Sequence, residues 1–365
     1  MKHRPISLCL TSILASALLA GALMVTPTAP AGASPFAYVI NSDVGGASVI
    51  DVATNTVVAT LPSLGTNAYA PFEVAITPDG KHAYVSCQCT SIPPNAAPPS
   101  GFNSPLLSVI DTTTNTLATT VSEPDSSGSF TDQGTFGLAV TPDGSRVYAG
   151  GNSGFWLSPT PTIFVIDTAT NTVVANITDS RLNNPREVAI TPDGTRAYVT
   201  DNTTAIHVVD TNPNSLTYNT IVPEVGTSSY NAFGVAITPD GGRAYVPGYN
   251  GVSPGAVLVI DTNPASPTYN TTIAIRAVSG AGLSSSDVVE NVAITPDGGR
   301  AYVTVFNNLS GGVGPVQVID TRPGSPTYNT VITTISIPNG ELSWGIAITS
   351  DGTRAYVTSC SQRHL

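Results

Sequence analysis

The sequence predicts an all-β chain that folds as a β-propeller of four-stranded blades, and the main observation is a repeated phrase. Residues 188–200 read VAITPDGTRAYVT, and near-copies begin at residues 74, 138, 235, 292 and 346. The Asp of each copy lies 47 to 64 residues before the Asp of the next. Each repeat also contains a second apolar run that ends in Val-Ile-Asp or a close variant. Repeats of this length with several short apolar strands are typical of propeller blades.

Each copy of the phrase is predicted to form a β-hairpin of two strands, which we call A and B. In the copy quoted above, residues 188–191 form strand A and residues 196–200 form strand B. Pro192, Asp193 and Gly194 make the turn, because proline presets φ, aspartate tolerates the bridge region and glycine accepts a left-handed conformation.

The second apolar run is predicted to be strand C, and the run after it strand D. The Asp that ends strand C opens a tight turn, and its carboxylate is expected to accept hydrogen bonds from nearby backbone N–H groups. These residues are Asp51, Asp111, Asp167, Asp210, Asp261 and Asp320. The length variation lies in the B–C loops and D–A connections, which an up-and-down strand order places on one face. Insertions in repeat folds tend to carry function, so this loop-rich face is the expected binding face.

Six blades can be counted, but the two ends of the chain supply one strand more than six blades hold. Residues from Phe36 onwards supply strands B, C and D, and the C-terminal copy supplies A and B. In one closure, residues 345–349 form the inner strand beside the N-terminal strands, and residues 354–359 then compete with residues 36–41 for one place. The alternative is a C-terminally truncated seven-bladed propeller.

Residues 1–33 are predicted to be a secretory signal peptide, followed by a single propeller domain over residues 34–365. A basic start at residues 2–4 precedes an apolar run over residues 6–25 and a small-residue cleavage site at residues 31–33. An uncleaved membrane anchor is the alternative, since about 20 apolar residues can span a bilayer. We therefore expect an exported, soluble, monomeric chain with no membrane span after cleavage.

The charge of the chain disfavours a nucleic-acid partner. Removal of Lys2 and Arg4 with the signal lowers the formal net charge from −11 to −13. A chain this acidic repels phosphate backbones.

Three cysteines remain after signal cleavage, and export permits a disulfide. Cys360 is expected to bond to Cys87 or Cys89, and the sequence does not decide between them. The third thiol is left over.

The phrases PDGTRAYVT and VIDTATNTVVA resemble the repeats of the YVTN β-propeller family, and Tyr198-Val199-Thr200-Asp201 comes within one residue of the motif that names the family. The resemblance covers essentially the whole chain after Pro35. It implies a secreted or cell-surface propeller, often a binding or surface-layer module. Relatives with similar blades include lactonases, a streptogramin lyase and a DNA-binding member, so the fold alone does not fix the activity.

The repeated Arg of strand B is interpreted as a structural residue. Its members are Arg146, Arg196, Arg243, Arg300 and Arg354, with His82 in the first copy. A ring of arginines is also compatible with an anion site. Pairing with a turn Asp or a strand-C Asp is the interpretation that we favour.

Candidate site residues stand directly before each strand A, where they are expected to line the channel mouth on the loop-rich face. The pairs are Phe72-Glu73, Phe136-Gly137, Arg186-Glu187, Phe233-Gly234, Glu290-Asn291 and Trp344-Gly345. Oxygen ligands from alternate blades, Glu73, Glu187 and Asn291, suit a Ca²⁺ ion. The alternative is a hydrated channel without a cofactor, in which glycine stands where backbones crowd.

Two function classes follow from these residues. The first is a secreted or cell-surface, non-catalytic binding or scaffold module whose loop-rich face takes a glycan, a peptide or a protein. The second is a hydrolase or lyase, such as a lactonase, with its site at the channel mouth. The three histidines outside the signal, His82, His207 and His364, match no catalytic motif, so no catalytic residue is assigned.

Overall fold

The computed structural model describes residues 36–41, 45–64, 69–89, 105–122, 134–153, 160–252, 255–278, 287–306, 314–337 and 342–360. The predicted signal peptide over residues 1–33 lies outside this part. The described residues form β-strands, turns and loops, and no helix among them is long and apolar enough to cross a membrane.

The strands form antiparallel sheets that are arranged as a β-propeller, as the sequence predicts. Six sheets of three or more strands are the blades, and a two-stranded hairpin follows the sixth. Blade 1 contains β1 (Phe36–Asn41), β2 (Gly46–Asp51) and β3 (Thr56–Leu61). Blade 2 contains β4 (Tyr69–Ile76), β5 (His82–Cys89), β6 (Leu107–Asp111) and β7 (Thr116–Val121). Blade 3 contains β8 (Gly134–Val140), β9 (Arg146–Ser153), β10 (Thr160–Asp167) and β11 (Thr172–Ile177).

The remaining blades follow in chain order. Blade 4 contains β12 (Val188–Ile190), β13 (Arg196–Thr200), β14 (Ala205–Asp210) and β15 (Ile221–Gly226). Blade 5 contains β16 (Asn231–Ala232) and β17 (Ala236–Ile237), which both pair with β18 (Arg243–Tyr249), and then β19 (Ala256–Asp261) and β20 (Thr271–Ala277). Blade 6 contains β21 (Val288–Ile294), β22 (Arg300–Phe306), β23 (Val316–Asp320) and β24 (Val331–Ile335). The C-terminal hairpin is β25 (Leu342–Ile348) and β26 (Ala355–Cys360).

The turn between strands A and B forms as the sequence predicts. Gly194 has φ of 71°, and its N–H donates to the Thr191 carbonyl over 2.8 Å. The Asp193 carboxylate accepts from the Thr191 hydroxyl at 2.5 Å and from the Thr195 N–H at 3.0 Å. Glycine has no Cβ atom and adopts this left-handed conformation readily, which explains why it recurs in every copy.

The repeated Arg pairs with the strand-C Asp of its own blade in three blades. The N···O distances are 2.6 Å for Arg146–Asp167, 2.7 Å for Arg196–Asp210 and 2.8 Å for Arg243–Asp261. The same carboxylates accept from the turn backbone, as Asp167 does from the Ala169 N–H at 2.9 Å. The structural interpretation of this Arg is therefore confirmed in blades 3 to 5.

Blade 6 departs from that pattern. Its strand-C residue Asp320 forms an ion pair with Arg322 of the C–D turn, with an N···O distance of 2.9 Å. In the three blades described above, the strand-B Arg, which is Arg300 in blade 6, forms this pair.

Neighbouring blades pack apolar side chains against one another. In the cluster between blades 3 and 4, Tyr148 and Val165 meet Val188, Val199 and Val209, and all five are buried. Corresponding clusters join the other neighbouring blades that the structure describes. The core is thus distributed around the ring rather than collected at one centre.

A hydrogen bond between Tyr and Asn connects each of these blade pairs. The strand-B Tyr hydroxyl donates to the side-chain oxygen of an Asn in the C–D turn of the next blade. The Asn residues of these turns have φ between 53° and 57°, which is the left-handed region. The bonds are Tyr38–Asn115 (2.5 Å), Tyr84–Asn171 (2.6 Å), Tyr148–Asn219 (2.7 Å), Tyr198–Asn270 (2.6 Å), Tyr245–Asn329 (2.6 Å) and Tyr356–Asn55 (2.9 Å).

The last of these bonds shows how the two ends of the chain meet. Tyr356 of β26 bonds to blade 1, whereas Tyr38 of β1 bonds to blade 2, so β26 and β1 hold different positions in the ring. Within the described residues β25 pairs with β26, and β1 pairs with β2. The six predicted blades are therefore present, but within the described residues the segment 345–349 pairs with β26 and not with β1. The hairpin stands as a sheet of its own between blades 6 and 1.

The disulfide hypothesis fails for one of its two candidates. Cys87 is a free thiol, buried against the Ser108 hydroxyl, and burial raises its pKa to about 11. The side chains of Cys89 and Cys360 lie outside the described part of the chain, so pairing between them stays a prediction.

Tyr198→Phe tests the contribution of one Tyr–Asn bond. The substitution should lower the free energy of unfolding by about 1 kcal/mol, because it removes a buried hydrogen bond and leaves the Asn270 oxygen without its donor. Tyr302→Phe is the matched control. The Tyr302 hydroxyl has no partner among the described residues, and we expect a change within about 0.5 kcal/mol. Urea unfolding measures both, and equal losses would contradict the assignment.

Candidate functional site at the channel mouth

The structure brings most of the predicted site residues to one place. A cavity of about 40 Å³ is lined by Phe72, Arg186, Glu187, Phe233, Gly234, Glu290 and Asn291. These residues come from the starts of strands A in blades 2, 4, 5 and 6. A cavity of this volume holds about one water molecule or a small cationic group.

Glycines between the polar residues allow the blades to approach closely. A Cβ atom on Gly137 would lie 2.6 Å from the Glu187 Cα atom and 2.9 Å from the Glu73 carboxylate. A Cβ atom on Gly234 would lie 2.9 Å from the Glu290 carbonyl oxygen. The expectation that glycine stands where backbones crowd is confirmed at both positions.

Glu73 and Glu187 approach each other across Gly137, and their carboxyl groups interact electrostatically. Glu73 is 2% exposed, and its carboxylate also accepts from the Leu138 N–H over 3.0 Å. Burial, and then the neighbouring charge of Glu187, raise the pKa of Glu73 well above its usual range. Burial also raises the pKa of Glu187 to about 7, against the opposing effects of Glu73 and Arg186.

Arg186 stacks between two aromatic rings at the mouth. Its guanidinium carbon lies 5.8 Å from the centre of the Phe72 ring and 5.4 Å from the centre of the Phe136 ring. The two rings meet edge to face with centres 5.7 Å apart. Such cation–π contacts hold the guanidinium in place while its charge acts on the nearby carboxyl groups.

Glu290 is the third carboxyl group of the mouth, and the sequence analysis did not count it among the cation ligands. Burial raises its pKa to about 6, and Arg186 opposes that rise. The Asn291 side-chain oxygen accepts from the Val292 N–H at 2.7 Å. Glu187, Glu290 and Asn291 line the cavity, whereas Glu73 lies behind Gly137.

The predicted cation ligands are thus only partly brought together. Glu73 contacts Glu187, and Asn291 lines the cavity with Glu187. No group of three His, Cys, Asp or Glu in the described ranges has the geometry to hold a metal ion. The Trp344 side chain lies outside the described residues.

A second polar cluster, in blade 4, was missed at the sequence level. His207 of β14 is 1% exposed and lies between two carboxylates. Its Nε2 atom is 2.7 Å from Asp201 and its Nδ1 atom 3.0 Å from Glu224. Burial lowers the pKa of His207, but its hydrogen bond and charge contact with Asp201, reinforced by Glu224, raise it overall. Two features of the sequence could have indicated this cluster. His207 stands in strand C directly before Val-Val-Asp, and Asp201 directly follows Tyr-Val-Thr.

This cluster supports the connection that carries Arg186 and Glu187. The Asp201 carboxylate accepts from the Asn183 N–H at 3.2 Å, and Arg181 lies 3.5 Å from Glu224. Further along the connection, the Arg186 N–H donates to the Thr200 carbonyl at 2.7 Å. His207 is therefore a positioning residue at a distance from the mouth.

The comparisons with known proteins support the fold and no more. No family model matches the chain, and no curated protein matches its sequence. Among solved structures the chain is similar to the hydrazine synthase of Kuenenia stuttgartiensis, with a TM-score of 0.57 and 21% sequence identity. That alignment covers 80% of this chain and 76% of the other. At this identity the similarity concerns the fold alone.

Glu187→Gln should remove a pH dependence from the stability of the chain. A carboxyl group whose folded pKa is raised costs stability as pH rises from its ordinary value, about 4.3, to its folded value, about 7 for Glu187. At pH 8 in chelator, Glu187→Gln should stabilise the chain by on the order of 2 kcal/mol. Glu290→Gln should give a smaller gain, because its pKa is about 6. Urea unfolding between pH 5 and 8 measures the pH dependence of the free energy of unfolding. If Glu187→Gln shows the same pH dependence as wild type, the prediction is wrong.

His207→Gln should destabilise the chain most in mild acid. A raised histidine pKa contributes stability that is fully present below the ordinary value of about 6.5 and is lost as pH rises through the folded value. At pH 6 the loss should be about 3 kcal/mol, because Asp201 remains buried without a counter-charge. By pH 9 the difference in stability between His207→Gln and wild type should become smaller. His82→Gln, at the Arg position of blade 2, is the control, and melting temperatures across pH provide the readout.

Proposed function

We propose that this chain is an exported or cell-surface propeller of the YVTN type that binds a ligand without catalysis at its channel mouth. The repeated phrases support the family, and residues 1–33 support export. The observation that carries the binding role is the convergence of Arg186, Glu187, Glu290 and Asn291 on one cavity. Charged and polar groups from different blades that meet in one concave site are typical of a binding site.

The charges of the mouth favour a ligand with a cationic group. Two carboxyl groups, Glu187 and Glu290, interact with the charge of the Arg186 guanidinium, and the rings of Phe72 and Phe136 already engage that guanidinium. Burial raises the pKa values of Glu187 and Glu290, and an entering cation would favour their charged forms. Given the small cavity, we propose the ammonium group of a lysine side chain, presented by a peptide or protein, as the part that enters.

Ligand-dependent melting tests this proposal. A lysine-containing peptide should raise the melting temperature at pH 8, and the matched peptide with norleucine in place of lysine should not. Binding to the folded state alone stabilises by about 2.7 kcal/mol at a hundredfold excess over Kd. Glu187→Gln with Glu290→Gln should abolish the rise, whereas Glu224→Gln, away from the mouth, should keep it. Equal shifts for both peptides would reject a cationic ligand.

A Ca²⁺ ion is the other cation to compare in the same assay. A rise in melting temperature in calcium over chelator that disappears in Glu73→Gln with Glu187→Gln would assign the mouth to the metal. A glycan array tests whether the mouth instead binds a sugar through its hydroxyl groups.

A hydrolase or lyase is the second candidate function, and the Glu187 carboxyl group favours it. A half-buried carboxyl group with a pKa of about 7 is suited to general acid–base catalysis near neutral pH. Turnover of lactone or ester substrates that Glu187→Gln abolishes would support this candidate. Binding without turnover across such a screen would favour the non-catalytic role.

A further inference from the structure

The rings of Phe72 and Phe136 form a corner at the channel mouth, which we call the aromatic corner, and the Arg186 side chain fills it. The two rings stand at 90° to each other with centres 5.7 Å apart. The guanidinium carbon lies 5.8 Å from the centre of the first ring and 5.4 Å from the centre of the second. Phe72 and Arg186 also line the cavity of the mouth, so the corner opens into that cavity. Two ring faces around one positive charge are the arrangement of a cation-binding site.

The Arg186 side chain is held differently from the arginines that pair within the blades. Arg146, Arg196 and Arg243 each contact a carboxylate over 2.6 to 2.8 Å. The Arg186 guanidinium forms no ion pair and no hydrogen bond with another residue of the described ranges, and the residue is half-buried. The ring faces therefore hold the guanidinium, and each such contact is weak at a half-exposed site.

The fold does not require an arginine at this position of the repeat. The equivalent residue is a phenylalanine in blades 2, 3 and 5. The Arg186 backbone is fixed separately from its side chain, because its N–H donates to the Thr200 carbonyl over 2.7 Å and its carbonyl accepts from the Gly137 N–H. The side chain can therefore leave the aromatic corner while the strands of the mouth stay in place.

The aromatic corner suits a cation that needs no hydrogen-bond acceptor. The N–H donors of a guanidinium or a lysine ammonium gain no oxygen acceptor from ring faces, whereas a quaternary ammonium group has no N–H donor and binds to such faces. We propose that the aromatic corner binds a quaternary ammonium group and that Arg186 is a resident cation which this ligand displaces. This inference rests on the proposed role of the mouth as a binding site, and it adds a subsite beside the carboxyl groups proposed for lysine.

Choline and its uncharged analogue, in which a carbon atom replaces the nitrogen, are the matched probes. The two molecules have the same shape, and ligand-observed NMR titration with the full chain gives the Kd of each. The analogue should bind about tenfold more weakly than choline, because it lacks the charge that the ring faces attract. Arg186→Gln should bind choline about tenfold more tightly than wild type, because no resident cation has to be displaced. Arg276→Gln removes the same charge from an exposed position of β20 and should leave the Kd unchanged.

Substitution of the rings separates the aromatic corner from a general effect of charge at the mouth. In the Arg186→Gln chain, Phe136→Leu removes one ring face but keeps an apolar side chain. It should weaken choline binding about fivefold and leave the binding of the uncharged analogue unchanged. Phe72→Leu, at a half-buried position, should have the same effect and replaces Phe136→Leu if that variant does not fold. A choline affinity that the ring substitutions leave unchanged, or no choline binding to Arg186→Gln, would overturn the proposal.

The result for choline is independent of the result for the lysine peptide. In Glu187→Gln with Glu290→Gln, choline binding should still depend on the two rings. Binding of the lysine peptide without binding of choline would reject the aromatic corner alone. Ring-dependent binding of choline without any response to the lysine peptide would support the aromatic corner and reject lysine as the ligand of the mouth.

Discussion

The hydrogen bond from a strand-B Tyr to an Asn in the next blade is the interaction on which the ring depends. The tyrosine ring fills the apolar space between two sheets, and a buried hydroxyl group there needs an acceptor. The Asn supplies it from a left-handed position that the C–D turn itself requires. One side chain thus fixes the turn of its own blade and the position of the preceding blade. The bond from Tyr356 to Asn55 extends the same rule across the two ends of the chain.

At the centre of the ring the close approach of the blades determines the chemistry of the mouth. Gly137 and Gly234 let strands A approach until side chains from alternate blades touch. A Cβ atom on Gly137 would lie 2.9 Å from the Glu73 carboxylate and 2.6 Å from the Glu187 Cα atom, so glycine at this position lets the two carboxyl groups interact. Burial favours the protonated forms of Glu187 and Glu290, and the positive charge of Arg186 only partly offsets the cost of ionising them. The polarity of the mouth therefore follows from the packing of the blades.

Local features of the fold were predictable from the sequence, and features between blades were not. The Pro-Asp-Gly turn and the Arg–Asp pairs form between residues that are close in the chain, and both were predicted. The Tyr–Asn bonds join residues 71 to 87 positions apart in the first five pairs, and the sequence pattern does not show which turn faces which tyrosine. For the same reason Glu290 was predicted at the channel mouth but was not counted among the cation ligands. The His207 cluster collects residues from two strands and a connection, beyond the reach of the repeat pattern.

Blade 4 carries two titrating groups, Glu187 and His207, and both lower the stability of the folded chain as pH rises. Ionisation of Glu187 costs stability as pH approaches 7, and deprotonation of His207 removes stability at higher pH. The connection that carries Arg186 is therefore held most firmly in mild acid. A cation at the mouth, as proposed, would bind best above pH 7, where Glu187 and Glu290 are ionised. Its binding would offset the cost of those charges, so a cationic ligand would stabilise the mouth most where the free chain is weakest.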